Sequence, residues 1–213
     1  MHQQLMAILK RAPVMPVLMI EDVEHAVPLA TALRDGGLPV LEVTLRTRAA
    51  LNAIYRIREE VEGVCVGAGT VLNAHDVKLA MAARSEFLVS PGSNAALLDA
   101  GIDSGLPFLP GIATATEVLG CMDRGLNAVK FFPAEAMGGL ATLKALSAPL
   151  ADVQFCPTGG ITPENAQQYL ALPTVVTVGG SWIAPLELQR AGDWKSIRQR
   201  AEIASQLRAK AGA

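Results

Sequence analysis

Eight short β-rich runs, separated by helical stretches and spaced about 20 to 25 residues apart, constrain this chain more than any other feature. The runs are 13–20, 39–46, 64–71, 87–91, 107–113, 127–133, 152–158 and 174–181. Each interval just accommodates a strand, a turn, a helix and a second turn, so neighbouring strands are expected to be parallel. Eight such units predict a (β/α)8 TIM barrel. The alternative, an open doubly wound sheet, usually has fewer strands and a single switch point. With 213 residues the barrel fills the chain, so 1–213 is expected to be a single domain. A short helix over Leu5 to Lys10 would cap the barrel bottom. Crossover helices are expected over Asp22 to Asp35, with Val23, Ala26, Leu29, Ala30 and Leu33 apolar, and over Asn73 to Ala83, with Asn73 as cap.

Composition removes several function classes. The chain is 51% hydrophobic with a net charge of -2, which gives no basic footprint for nucleic acid or anionic lipid. No apolar run reaches the roughly 20 residues of a membrane span. Ala12 to Ile20 faintly copies a signal peptide, but Pro13 and Pro16 interrupt it and acids follow it, so a first strand explains it better. Cys65, Cys121 and Cys156 are odd in number and far apart, which excludes a disulfide framework and fits a reducing cytoplasm. His2, His25 and His75 do not have ligand spacing, and no GxSxG elbow is present.

Barrel strands are buried on both faces and should be apolar, so a charge inside one needs an explanation. Of the six lysines, Lys10, Lys78, Lys144, Lys195 and Lys210 fall on expected helices and Lys130 alone falls in a strand. Glu42 is the only acid in a strand interior. By alternation Glu42, Thr44 and Arg46 share the face that must look into the barrel, as Lys130 and Phe132 share one. The C-terminal strand ends line a barrel's active site, which directs Arg46, Thr70, Lys130 and Thr158 towards one cleft. A desolvated lysine amine attacks carbonyls to give an imine, and a nearby carboxylate can move the protons. The plainer alternative is a structural ion pair between Lys130 and Glu42.

Gly159-Gly160 after the seventh run and Gly179-Gly180-Ser181 at the end of the eighth stand where barrels bind phosphate, because glycine lets backbone amides approach an anion. Gly67-Ala68-Gly69 lacks the third glycine of a dinucleotide fingerprint and is read as close packing around Thr70. Cys156 is read as a small buried hydrophobe. Together these features describe a phosphorylated keto-acid held across the barrel mouth, with no metal or organic cofactor required. A phosphosugar isomerase or epimerase, using Glu42 without a covalent Lys130, and a non-catalytic phosphosugar-binding barrel remain as alternatives.

The ordered set LEVTLRT (41–47), VGAGTVL (66–72), SPG (90–92), LPGIAT (109–114), VKFFPAE (129–135), CPTGGI (156–161) and VGGSW (178–182) resembles the bacterial 2-dehydro-3-deoxy-phosphogluconate (KDPG) and 4-hydroxy-2-oxoglutarate (KHG) aldolase family. The resemblance implies a Schiff base on Lys130 and general acid/base catalysis by Glu42 through a water. It further implies a carboxylate pocket of Arg46, Thr70 and Pro91, with Phe132 against the imine and Thr158 close by. Gly159, Gly160, Gly179, Gly180 and Ser181 would take the phosphate. A homotrimer and a place in the Entner–Doudoroff route are also implied.

Overall fold

The computed structural model describes residues 2–207, and Lys210 lies outside them. Helix α1 (His2–Leu9) precedes β1 (Val14–Leu18), a 3-10 turn (Val23–His25) and α2 (Ala26–Asp35). There follow β2 (Val40–Thr44), α3 (Ala50–Glu60), β3 (Cys65–Gly69), α4 (Ala74–Ala82), β4 (Leu88–Val89), α5 (Ala95–Asp103), β5 (Phe108–Leu109) and β6 (Gly111–Ile112). The chain continues through α6 (Ala115–Met122), β7 (Ala128–Phe131), α7 (Gly139–Ser147), β8 (Gln154–Pro157), α8 (Pro163–Leu170), β9 (Val178–Gly180), α9 (Leu186–Arg190) and α10 (Trp194–Ser205).

Every strand pair is parallel, and the sheet curls until the first strand meets the last: β1 pairs with both β2 and β9. One ladder runs β5-β4-β3-β2-β1-β9 and a second runs β6-β7-β8. Single parallel bridges, Phe155↔Val175 and Thr158↔Gly179, join β8 to the segment entering β9 and to β9 itself. The fold is thus α/β with a curled parallel sheet. It departs from the expected uninterrupted ring of eight strands, because among the described residues there are nine short strands in two ladders. The break between β5 and β6 falls at Pro110, which has no amide hydrogen to give to a ladder.

Local sequence explains the helix ends. Asn73 caps α4, its Oδ1 accepting from the amides of His75 and Asp76. The single helix expected from Asp22 is divided into the 3-10 turn and α2. Pro28 then lies in the first turn of α2, where its missing amide costs nothing. No helix among the described residues is long and apolar enough to cross a membrane.

Two apolar clusters set the radial order. The larger packs helices on the outer face of the sheet, whereas the smaller includes Met15, Val40, Cys65, Phe87, Leu109, Ala128 and Cys156. Leu5 and Leu9 of α1, each 2% exposed, belong to the smaller cluster, so this helix plugs the end where the strands begin. Two residues further along the same strand faces, Val40 gives way to Glu42 and Ala128 to Lys130. The interior changes from apolar to polar towards the C-terminal strand ends, which is where a site can form.

Candidate active site

Glu42 lies in the middle of β2 and is 0% exposed, and Lys130 in β7 is 4% exposed. Parallel register sets Glu42 opposite Gly67 and Lys130 opposite Cys156. Lys130 Nζ donates to Glu42 Oε1 at 2.8 Å and to Oε2 at 3.1 Å across the interior. Moving both charges out of water is costly, and only this close contact offsets the cost. Phe132 adds its ring, whose centroid lies 5.4 Å from Lys130 Nζ.

The neighbouring inner positions are small or hydroxylated. Thr44, also buried, donates to Leu18 O at 2.9 Å. Thr158 closes the other side, 5% exposed, with its hydroxyl 3.3 Å from Cys156 O. A Cβ on Gly179 would lie 2.8 Å from Thr158 Cγ2 and one on Gly180 would strike the Trp182 ring, so these glycines are demanded by close approach as well as by an open backbone. Cys156 lies among these groups, fully buried. Burial pushes its thiol up to about 12, against the lowering pull of the Lys130 charge, so it is not a thiolate nucleophile near neutral pH.

Thr70, immediately after β3, has φ 58°. A β-branched residue in the left-handed region is a true conformational outlier, and such strain persists only where the surroundings over-determine it. Pro91 stands in the bend after β4, against which β6 packs so closely that a Cβ on Gly111 would lie 2.5 Å from Gly92 N.

The structure does not gather every expected residue into one concavity. A cavity of about 360 Å³ is lined by Thr44, Arg46, Ser181, Trp182, Gln189 and neighbouring apolar side chains of β1 and of the segment leading into α9. It brings Arg46 and Ser181 together, beside rather than around the Lys130–Glu42 pair. Arg46 lies past the end of β2 and is exposed, and its guanidinium has no hydrogen bond or ion pair among the described residues. It is therefore available to an anion. Gln189, buried at 2% exposure, donates to Ala184 O at 2.7 Å and shapes the far wall. Nothing in its sequence context singled it out, because it lies in a short helix among ordinary surface residues.

Around the Gly159-Gly160 turn the backbone is left-handed. Gly159 and Gly160 have φ 95° and 78°. Gly159 takes part in the bridge from Thr158 to Gly179, whereas among the described residues the amides of Gly160, Ile161 and Ser181 donate to no protein acceptor. Successive free amides in a left-handed turn form an anion-binding concavity. No group of three or more His, Cys, Asp and Glu side chains among the described residues is placed to hold a metal ion.

The sequence model of the KDPG and KHG aldolases matches residues 5–200. The chain belongs to the KDPG and KHG aldolase family. This aldolase is 50% identical over 197 residues to the 2-dehydro-3-deoxy-phosphogluconate aldolase of Pseudoalteromonas atlantica, covering 92% of each chain. It is 48% identical over 198 residues to the KHG/KDPG aldolase of Escherichia coli, covering 93% of each. Two solved structures are similar throughout. The 2-keto-3-deoxy-6-phosphogluconate aldolase of Zymomonas mobilis with 3-phosphoglycerate has a TM-score of 0.92 at 48% identity, covering 97% of each chain. The KDPG aldolase of Legionella pneumophila, with pyruvate captured at low pH as a covalent carbinolamine, has a TM-score of 0.93 at 42% identity, covering 95% of this aldolase and 98% of that chain.

Proposed function

We propose that this chain is a class I aldolase, a carbon–carbon lyase that cleaves 2-dehydro-3-deoxy-6-phosphogluconate into pyruvate and glyceraldehyde 3-phosphate through an imine on Lys130. The observation that carries the reading is the buried contact of Lys130 Nζ with both carboxylate oxygens of Glu42, at 2.8 and 3.1 Å. Attack requires a neutral amine, and Glu42 is placed to accept the proton that the ammonium gives up. The amine adds to the C2 carbonyl, and loss of water from the carbinolamine leaves an iminium. Removal of the C4 hydroxyl proton by Glu42, through a water, breaks the C3–C4 bond and sends its electron pair to the iminium nitrogen. The aldehyde leaves, the enamine takes a proton back at C3, and water frees pyruvate and the lysine. Atoms and electrons balance without a metal or an organic cofactor.

Binding follows from the same placement. Arg46, Thr70 and Pro91 hold the keto-acid carboxylate, and Phe132 and Thr158 flank the imine. Gly159, Gly160, Gly179, Gly180 and Ser181 receive the phosphate, a role supported by the free amides of the first loop and of Ser181. The curled sheet is taken as a closed (β/α)8 barrel and the chain as one domain. Pairing of β1 with β9, the short gap at Pro110 and the family match over 5–200 support both. A homotrimer is expected from the family resemblance, and light scattering showing a monomer would refute it. The three cysteines are free and buried, which supports a cytoplasmic location; a place in the Entner–Doudoroff route rests on the family resemblance. The name of the Escherichia coli relative favours a second activity, cleavage of 4-hydroxy-2-oxoglutarate to pyruvate and glyoxylate.

Borohydride reduction with pyruvate tests the reading. The added mass should map to the peptide containing Lys130, and Lys130→Ala should lose both label and turnover. A label on another lysine would overturn it.

A further inference from the structure

Tyr169 on α8 is 1% exposed, and its hydroxyl donates to Glu135 Oε1 in the turn after β7. Neither side chain has a part in the imine chemistry, yet both bear on the loop assigned to the phosphate. Ala134 N donates to Thr158 O at 2.8 Å and Glu135 N to Gly159 O at 3.1 Å. Asn165 Nδ2, at the start of α8, donates to Gly160 O at 3.1 Å. Three successive carbonyls are thus held by protein donors, and the amides of Gly160 and Ile161 are left to an external acceptor. The stem of Glu135 is also the loop's wall, since a Cβ on Gly160 would lie 2.6 Å from Glu135 Cβ and 2.7 Å from its Cγ.

A carboxylate beside an anion seat repels the anion unless its charge is engaged elsewhere. Tyr169 supplies that engagement. Burial first, and the bond to Glu135 second, hold its phenol above the ordinary tyrosine range, so it remains a donor throughout the working pH range. We propose that Tyr169 and Glu135 are positioning residues that keep the Gly159-Gly160 loop open to phosphate, and so set the preference for a phosphorylated over an unphosphorylated keto-acid. This rests on the phosphate assignment made above.

Steady-state kinetics on 2-dehydro-3-deoxy-6-phosphogluconate and 4-hydroxy-2-oxoglutarate test it. Tyr169→Phe should raise KM for the phosphorylated substrate about tenfold with kcat within about twofold, the size expected for loss of one charged hydrogen bond. Its kcat/KM on the unphosphorylated substrate and its imine trapping with pyruvate should stay within about twofold of wild type. Glu135→Gln keeps an acceptor for the hydroxyl and should raise that KM by less than about threefold. Glu135→Ala, at an exposed position, removes the acceptor and the Cγ part of the wall while keeping the Cβ; it should reproduce the selective loss even if Tyr169→Phe folds poorly. Equal losses on both substrates would reveal a merely structural brace and overturn the proposal. A wild type that favours the phosphorylated substrate, with Tyr169→Phe and Glu135→Ala favouring it equally, would overturn the bracing alone. A wild type without that preference would overturn the phosphate assignment and the bracing with it.

Discussion

Gly69 vacates the space that the Glu42 carboxylate fills: a Cβ at position 69 would lie 2.5 Å from Glu42 Cγ and 2.8 Å from its Cδ. Thr44 and Gly69 are register partners, so Glu42 leans along the interior over the end of β3 to reach Lys130. Gly69→Ala should therefore displace the carboxylate and lower kcat by roughly 100-fold, the scale of a lost general base. Overpacking should cost about 1–3 kcal/mol of stability as well. The two effects are separated by thermal unfolding and by the rate at which the variant exchanges the pyruvate methyl protons. Unchanged exchange in a folded variant would show that Glu42 is not confined by this glycine.

Because the Lys130–Glu42 pair is buried, removing one partner is expected to cost more than removing both. Lys130→Met leaves a carboxylate that is 0% exposed without its cation, at about 3–5 kcal/mol. Adding Glu42→Leu should recover much of that loss while activity remains absent. Urea unfolding of the two single variants and the double variant checks this. A Lys130→Met chain as stable as wild type would mean that water reaches Glu42.

The two central residues were legible because strand interiors admit almost no charge, so one lysine and one acid stood out against apolar runs. Parity then placed Glu42, Thr44 and Arg46 on one face, and the structure keeps Glu42 and Thr44 inward. Arg46 lies past the end of β2 at Thr44 and is exposed, yet it lines one cavity with Thr44. The break at Pro110 was hidden. A hydrophobic run reports burial, whereas a ladder also needs amide donors in register. Gly67-Ala68-Gly69 announces close packing, but a missing side chain does not say what occupies its place, which is the Phe87 ring at Gly67 and the Glu42 carboxylate at Gly69. Glu135 and Tyr169 lie 34 positions apart, and no local pattern links them.

Thr70 offers a trade between stability and function. Its φ of 58° suits glycine and is costly for a β-branched residue. Thr70→Gly should raise stability by about 1 kcal/mol through relief of that strain. The same change deletes the hydroxyl proposed to meet the keto-acid carboxylate, so half-maximal borohydride trapping should need more pyruvate, by roughly tenfold. Thr70→Ser should retain trapping. If Thr70→Gly traps pyruvate like wild type, the hydroxyl has no part in carboxylate binding and the backbone alone explains the conformation.

Cys156 should make the fold sensitive to alkali without contributing to turnover. Its thiol titrates near 9.0 in an unfolded chain and is pushed up to about 12 in the fold, with burial as the main cause. Between those values the unfolded chain releases a proton that the native chain keeps, so the native state binds more protons and stability falls as pH rises. The contribution is whole below about pH 9 and is lost progressively towards pH 12, with a limiting slope of about 1.4 kcal/mol per pH unit for one thiol. Cys65 is raised to about 12 by burial as well and adds a parallel loss. Burial raises Cys121 too, so Cys156→Ala removes one of three such contributions, and urea unfolding between pH 8 and 11 should show a shallower decline than wild type. Its turnover near neutral pH should remain within a few-fold, because a neutral thiol buried beside Lys130 is neither acid nor nucleophile there. An identical alkaline slope in the variant would mean that this thiol titrates as freely in the fold as outside it, and abolished turnover in a folded Cys156→Ala chain would restore a chemical role for the sulfur.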